Sequence, residues 1–223
     1  MAVTAQLMAG KRGLIMGVAN NRSIAWGIAK ACADAGAELA FTYQGDALKK
    51  RVEPLAAETG SRLVLPCDVA DEASIDAVFA ELDKAWGGLD FVVHAIAFSD
   101  KDELTGRYVD TSADNFSKTM LISCYSLTSI SQRAEKLMKN GGSILTLTYS
   151  GAEKVMPHYT VIGVAKAALE TSVKYLAADL GKAGIRVHAL SAGPIHAPAA
   201  AGISALRHLP LLSEIHAPLR HTA

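Results

Sequence analysis

Residues Gly13 to Gly27 read GLIMGVANNRSIAWG. Gly13 to Met16 is a short apolar run behind two basic residues, Lys11 and Arg12. Gly17 and a turn of small or polar residues follow, and then a helical pattern opens at Ile24. The stretch therefore reads as strand, tight loop and helix. Gly17 allows a sharp turn and close backbone approach, and Ser23 is placed to cap the helix. The unpaired N–H groups and positive dipole end of such a helix suit a dinucleotide pyrophosphate. The spacing GxGxxG is absent, since only Gly17 and Gly27 occur, so an ordinary strand-to-helix turn of an α/β protein fits equally well.

The same alternation continues outward. Apolar runs recur at Glu38–Tyr43, Arg62–Leu65, Phe91–Ala97, Ser143–Thr148 and Ile185–Leu190. Short runs bounded by Gly, Asp or Pro are the mark of fully buried parallel strands. Helical stretches lie between them at Ile24–Ala35, Ala47–Thr59, Ala73–Trp86, Ala113–Lys139 and Tyr159–Lys182. Glycines follow where these helices should stop. The pattern predicts one α/β domain over residues 1–223, a doubly wound, Rossmann-like parallel sheet with helices on both faces.

Composition narrows the class. The chain has 223 residues, half of them hydrophobic, which is enough for a real core. Basic and acidic residues balance at 22 each, so there is no basic footprint of a nucleic-acid binder. No apolar run approaches the roughly 18 residues that span a bilayer, and the first twelve residues do not read as a secretory signal. Cys32, Cys67 and Cys124 are scattered, which argues against a disulfide framework and a cysteine zinc site. The histidines, among them His94, His188 and His208, show no metal-ligand spacing and read as structural or surface residues. A cytoplasmic protein without metal is the expectation.

At the end of the second strand stands Gln44, where an acid usually takes the ribose hydroxyls of NAD and an arginine the phosphate of NADP. Gln44 is neither, and Asp46, Lys49, Lys50 and Arg51 are all near, so the residues leave the cofactor open. Asp68 and Val69 follow the third strand, where an acid can meet an adenine amino group. Asp68 can equally cap the next helix, although Asp71 is better placed for that.

The segment Tyr149 to Lys166 reads YSGAEKVMPHYTVIGVAK. Tyr149 ends the fifth strand and faces the crevice where open α/β sheets bind ligands. A helix started by Pro157 is expected to carry Tyr159, Gly163 and Lys166. Seven residues separate Tyr159 from Lys166, two turns on one face, about 10.5 Å along the axis. A tyrosine can donate to an oxygen that gains charge, and a nearby ammonium can hold a ribose. By spacing alone, a surface tyrosine and a solvated lysine are the better account.

These residues resemble the short-chain dehydrogenase/reductase superfamily. Ordinary members carry Tyr-x3-Lys, and here Gly163 occupies that lysine position. Tyr-x6-Lys, with a second tyrosine ten residues earlier, is similar to the divergent enoyl-acyl carrier protein reductases of bacterial fatty-acid synthesis. The resemblance extends over GVANNRSIAWGIA at Gly17–Ala29, TYQGDALKKRV at Thr42–Val52, CDV at Cys67–Val69 and SAGPI at Ser191–Ile195.

The resemblance implies reduction of the trans-2 double bond of an enoyl thioester on acyl carrier protein by NADH, in preference to NADPH, and a homotetramer. Tyr159 would stabilise the enolate oxygen, Lys166 would hold the nicotinamide ribose, and Tyr149 would line the substrate pocket and assist. Gly17, Ser23 and Ile24 would cradle the pyrophosphate, Gln44 would lie beside the adenosine ribose, and Asp68 and Val69 would bound the adenine. Ala95, Ile96 and Ala97 would follow the fourth strand near the ribose, and Ile195 would pack on the nicotinamide. Phe98, Leu104, Met156, Pro157, Ile162, Ile203 and Leu206 would form the acyl pocket. For Leu104 and Ile162, plain core packing is the strong alternative.

Several positions depart from the family pattern. Ala97 stands where glycine is frequent, and Ala197 where a threonine usually helps hold the cofactor, with Pro198 beside it. The substrate-binding segment is expected at about 196–220, and the family's final strand is expected to be absent, leaving six. Two further readings follow: a 3-ketoacyl or other short-chain reductase, and a dinucleotide-binding protein of impaired catalysis.

Overall fold

In the computed structural model of the chain, the described residues are 6–193 together with Ile215, Pro218 and Leu219. The first half alternates β1 (Arg12–Met16), α1 (Ile24–Asp34), β2 (Glu38–Tyr43), α2 (Gly45–Glu58), β3 (Leu63–Pro66), α3 (Glu72–Trp86) and β4 (Phe91–His94). A short helix α4 (Lys101–Leu104) follows, and then α5 (Ala113–Met120), a π-helical turn at Leu121–Tyr125, and α6 (Ser126–Leu137). The order closes with β5 (Gly142–Thr148), α7 (Thr160–Leu180) and β6 (Ile185–Ser191).

All pairings are parallel, and the strands form one sheet in the order β3-β2-β1-β4-β5-β6. The order reverses between β1 and β4, which makes the carboxyl ends of those strands the topological switch point. Alternating side chains bury both faces. Ile15, Leu39, Phe41, Phe91 and Val93 pack with Trp26 and Ala29 of α1 and Val52 and Ala56 of α2. Leu14, Met16, Ala40, Val92 and Ile144 turn the other way, into a core shared with α3, α6 and α7. Period-two alternation with both sets apolar is what a sheet covered on both sides requires.

The expected doubly wound sheet is found, and the six expected strands match within a few residues. Four local expectations differ. The fourth strand stops at His94, not Ala97. Gly17 takes φ +96°, and a Cβ there would lie 2.0 Å from the Ala95 carbonyl oxygen. The backbone of β1 therefore swings across residue 95, and the last ladder bond is Ala95 N–H to the Met16 carbonyl at 3.0 Å. The long helix expected over Ala113–Lys139 is interrupted by the π turn. The short α4 was not foreseen, because four residues show no period. Pro157 does not start α7: His158 adopts a left-handed backbone, φ +59°, which breaks a helix, so the first helical residue is Thr160 and Tyr159 is its N-cap.

Candidate active site

The loop after β1 is folded around Ser23. This nearly buried hydroxyl accepts the backbone N–H groups of Ala19 at 3.0 Å and Asn20 at 2.9 Å. Arg22 N–H binds the Asn20 side-chain oxygen at 2.8 Å. Ser23 is the N-cap residue of α1, but its side chain makes no capping bond to the helix. The expected cap is thus corrected: the lone pairs of the hydroxyl are taken by the preceding turn, and its own proton is left to donate. Trp26 and Gly27 N–H bind the Ser23 carbonyl at 3.0 and 3.1 Å, and the N–H groups of Ile24 and Ala25 are left at the switch point without a side-chain acceptor. With the close approach at Gly17, this is a fit for a pyrophosphate, since bare backbone donors and a positive helix end face the crevice.

The neighbouring strand ends carry the other nucleotide candidates. Gln44 is exposed beyond β2 and is the N-cap residue of α2. Beyond β3, Val69 is buried, and Asp68 accepts Ala70 N–H at 2.9 Å while its own N–H binds the Ser74 hydroxyl at 2.9 Å. The cap of α3 is Asp71, which accepts Ala73 N–H at 3.0 Å. Asp68 is therefore free of the capping role that competed for it. Ala95 and Ile96 are half-buried beyond β4, and Ala97 is exposed. Register sets Met16 beside His94 and His94 beside Thr146, so the ends of β1, β4 and β5 form one rim.

Tyr159 is 6% exposed and sits edge-on against Tyr149, ring centroids 5.4 Å apart at 64°. Leu104, Val161 and Ile162 pack with it, joined by the partly buried Phe116, Tyr149 and Met156. Burial, and then the Tyr149 hydroxyl nearby, push the Tyr159 phenol well above its ordinary value. It remains a proton donor at neutral pH. Five expected substrate-site residues thus come together: Leu104, Tyr149, Met156, Tyr159 and Ile162. Phe98 and Pro157 are exposed and stand outside that cluster. Ile195, Ile203 and Leu206, like Ala197 and Pro198, lie outside the described residues.

Lys166 is 6% exposed, one turn and a half inside α7. Its Nζ donates to the Leu147 carbonyl of β5 at 2.7 Å. Burial pulls its pKa down to about 8, partly opposed by Cys124 beside it. The reading of a solvated lysine fails on burial. An ammonium has three donors, so after Leu147 two remain for a ligand at the rim.

Two glycines shape this site: Gly163, already marked by its place four residues after Tyr159, and Gly151, which sequence reasoning missed. A Cβ on Gly151 would lie 2.4 Å from the Tyr159 ring, and a Cβ on Gly163 would lie 2.8 Å from the Gly151 carbonyl oxygen. The turn after β5 therefore lies directly on the start of α7, and the position four residues after Tyr159 has no room for a lysine. Ser123, fully buried in the π turn, was also missed. Its hydroxyl accepts Phe98 N–H at 2.9 Å and donates to the Phe98 carbonyl at 3.0 Å, which pins the segment after β4. A π turn at such a place is often functional, but nothing in the run MLISCYSL marks one. Among the described residues, no cluster of His, Cys, Asp or Glu could hold a metal ion, and no helix is long and apolar enough to cross a membrane.

Comparison with known proteins agrees with this geometry. The sequence model of the family described as enoyl-(acyl carrier protein) reductase matches residues 17–223. The chain is 68% identical over 222 residues to the enoyl-[acyl-carrier-protein] reductase [NADH] 1 of Rhizobium meliloti, covering 100% of this chain and 82% of that protein. It superposes on FabI from Candidatus Liberibacter asiaticus with a TM-score of 0.95 at 52% identity, covering 98% of this chain and 85% of that one. An enoyl-(acyl-carrier-protein) reductase from Anaplasma phagocytophilum, solved in complex with NAD, gives a TM-score of 0.92 at 57% identity over 99% of this chain and 82% of that one. The chain belongs to the enoyl-(acyl carrier protein) reductase family.

Proposed function

We propose that this chain reduces the trans-2 double bond of enoyl-acyl carrier protein with NADH, the last step of the fatty-acid elongation cycle. The carrying observation is the enclosed pair of Tyr159 and Lys166, with Gly163 packed against Gly151 at the alternative lysine position. Bound NADH supplies the hydride that adds to C3 of the enoyl thioester. The electron pair of the double bond then moves toward the thioester carbonyl, which becomes an enolate. Tyr159 donates a hydrogen bond to that oxygen, from a site where the raised phenol pKa keeps the proton in place. A preorganised donor in a dry site stabilises charge far better than water does. Lys166, anchored on Leu147, presents its remaining donors to the ribose hydroxyls. Tyr149 sets the edge of the Tyr159 ring and the wall of the acyl pocket, with Leu104, Met156 and Ile162 behind it. A proton from solvent then adds to C2, the enolate carbonyl re-forms, and the saturated thioester is complete.

The cofactor cradle is Gly17, Ser23 and Ile24 for the pyrophosphate, Gln44 for the adenosine ribose, and Asp68 and Val69 for the adenine. Ala95, Ile96 and Ala97 border the remainder, while Phe98 and Pro157 extend the acyl pocket. We assign the enzyme to the cytoplasm and to a homotetramer. Leu121, Tyr125, Val164 and Tyr175, on the π turn and α7, are between 37% and 72% exposed, and large apolar side chains on adjacent helices suit burial against a second copy.

A 3-ketoacyl reductase is disfavoured by the contact at Gly163, which leaves the ordinary lysine position unfilled. The deciding experiment follows NADH absorbance with purified chain and a medium-length trans-2-enoyl thioester, then with a 3-ketoacyl thioester. Turnover of the first alone, lost in Tyr159→Phe, supports the proposal. NADH binding without turnover of either points to the catalytically impaired reading.

A further inference from the structure

His94, the last residue of β4, is completely buried. Its Nδ1 lies 2.9 Å from the Thr146 hydroxyl of β5, and its Nε2 lies 2.8 Å from the Ser126 hydroxyl at the start of α6. The Thr146 hydroxyl also lies 3.1 Å from the His94 carbonyl. A neutral ring donates through one nitrogen and accepts through the other, so one of the two hydroxyls receives the ring proton and the other gives its own to the ring. Burial, and then the Lys166 ammonium nearby, hold the His94 pKa down at about 3, so this neutral form is the one present.

The imidazole is not needed to pair the two hydroxyls. Thr146 already has the backbone carbonyl of residue 94, and the Ser126 hydroxyl lies 2.7 Å from the Ile122 carbonyl. An apolar side chain at 94 would leave both satisfied and would spare the desolvation of a polar ring. What the ring adds is a link between elements. It ties β4 to β5 one residue before Leu147, whose carbonyl holds Lys166 at 2.7 Å. It also ties that rim to the helix just after the π turn, where Ser123 pins Phe98.

We propose that His94 is a positioning residue for Lys166. Doubly hydrogen-bonded, it locks the Thr146–Leu147 end of β5 against the π turn and fixes the carbonyl on which the lysine is aimed at the cofactor. The inference rests on the role given to Lys166 above.

The test uses the full chain and four variants: His94→Leu, which removes both links; His94→Asn, whose amide sits near the Nδ1 position; His94→Gln, whose amide reaches the Nε2 position; and Lys166→Met. NADH affinity is read by fluorescence, together with KM for each substrate, kcat and Tm. His94→Leu is expected to weaken NADH binding and raise its KM about tenfold, the effect of losing one good hydrogen bond to a charged group. KM for the enoyl thioester should stay unchanged. His94→Asn should recover most of the NADH affinity, because it keeps the link to Thr146, and His94→Gln should recover less. Wild-type NADH affinity in His94→Leu, alongside a loss in Lys166→Met, overturns the inference. Unchanged affinity in Lys166→Met overturns instead the role of the lysine. If His94→Leu does not fold, the Asn and Gln variants decide: equal NADH affinity in those two, or the reverse order, refutes the proposal.

Discussion

Lys166 should be held at a loss of stability, and Lys166→Met should reveal it. The lysine's ordinary pKa of 10.5 falls to about 8 in the folded chain, chiefly through burial. At ~1.4 kcal/mol per pH unit, that difference opposes folding by about 3 kcal/mol wherever the folded lysine is charged. Methionine is similar in length and carries no charge. Its substitution forfeits the charge-assisted bond from Nζ to the Leu147 carbonyl, worth about 1.5 kcal/mol or somewhat more. The net gain near pH 7 is at most about 1.5 kcal/mol, or roughly 3–6 °C in Tm for a chain of this size. The pH dependence has a definite sign. Below about pH 8 both folded and unfolded lysine are protonated and the penalty is complete. Between about 8 and 10.5 the unfolded chain holds the proton that the folded chain has released, so wild-type stability rises with pH. The variant lacks this rise, so its advantage should vanish toward pH 10.5. Calorimetry of the ligand-free proteins at pH 7 and pH 10 measures it. A lower Tm in Lys166→Met at pH 7, or a difference that ignores pH, would falsify the account of a desolvated ammonium.

Tyr159→Phe keeps the edge contact with Tyr149 and should fold normally while kcat falls about 10²–10³-fold, the effect of losing one oxyanion donor; steady-state kinetics beside a circular dichroism spectrum checks both. Gly163→Lys recreates the ordinary short-chain spacing, but its Cβ meets the Gly151 carbonyl at 2.8 Å; it should lower Tm and abolish enoyl reduction, and a gain of 3-ketoacyl reduction would contradict the packing argument. Gly17→Ala forces a Cβ to 2.0 Å from the Ala95 carbonyl at φ +96°, so NADH affinity should collapse in titration even in whatever fraction folds. Asp71→Ala removes the N-cap of α3 and should lower stability by about 1 kcal/mol in urea unfolding, with kcat and KM unaltered.

The sheet was legible because its signal is redundant. Each strand is a short apolar run, most helices end near a glycine, and the order of elements admits few topologies. The loop at Gly17 was legible as a turn, but the use of Ser23 was not. A serine before a helix can cap it or fold the loop behind it, and only the positions of Ala19 and Asn20 N–H choose between these. The start of α7 was misplaced because proline favours a first helical turn, while His158 in a left-handed backbone carries no sequence mark. Ser123, His94 and Thr146 were unreadable for a different reason. Their roles depend on contacts between residues 25 to 52 positions apart, and neither a period nor a motif encodes those.

The spacing of the tyrosine and lysine follows from the same packing. Tyr159 is the N-cap of α7, so its ring sits at the helix end nearest the crevice, on Gly151. The turn after β5 then runs against the first turn of the helix and touches it at Gly163. A lysine at 163 would have to occupy the space of the Gly151 carbonyl. Further along, at 166, the helix faces the body of β5 instead of the turn beyond it, and there Leu147 offers a carbonyl within 2.7 Å. The ammonium is therefore held by the strand and not by the helix that carries it. Tyr-x6-Lys is in this sense the spacing that remains once the turn lies across Gly163, and the depressed lysine pKa is the thermodynamic trace of that enclosed route.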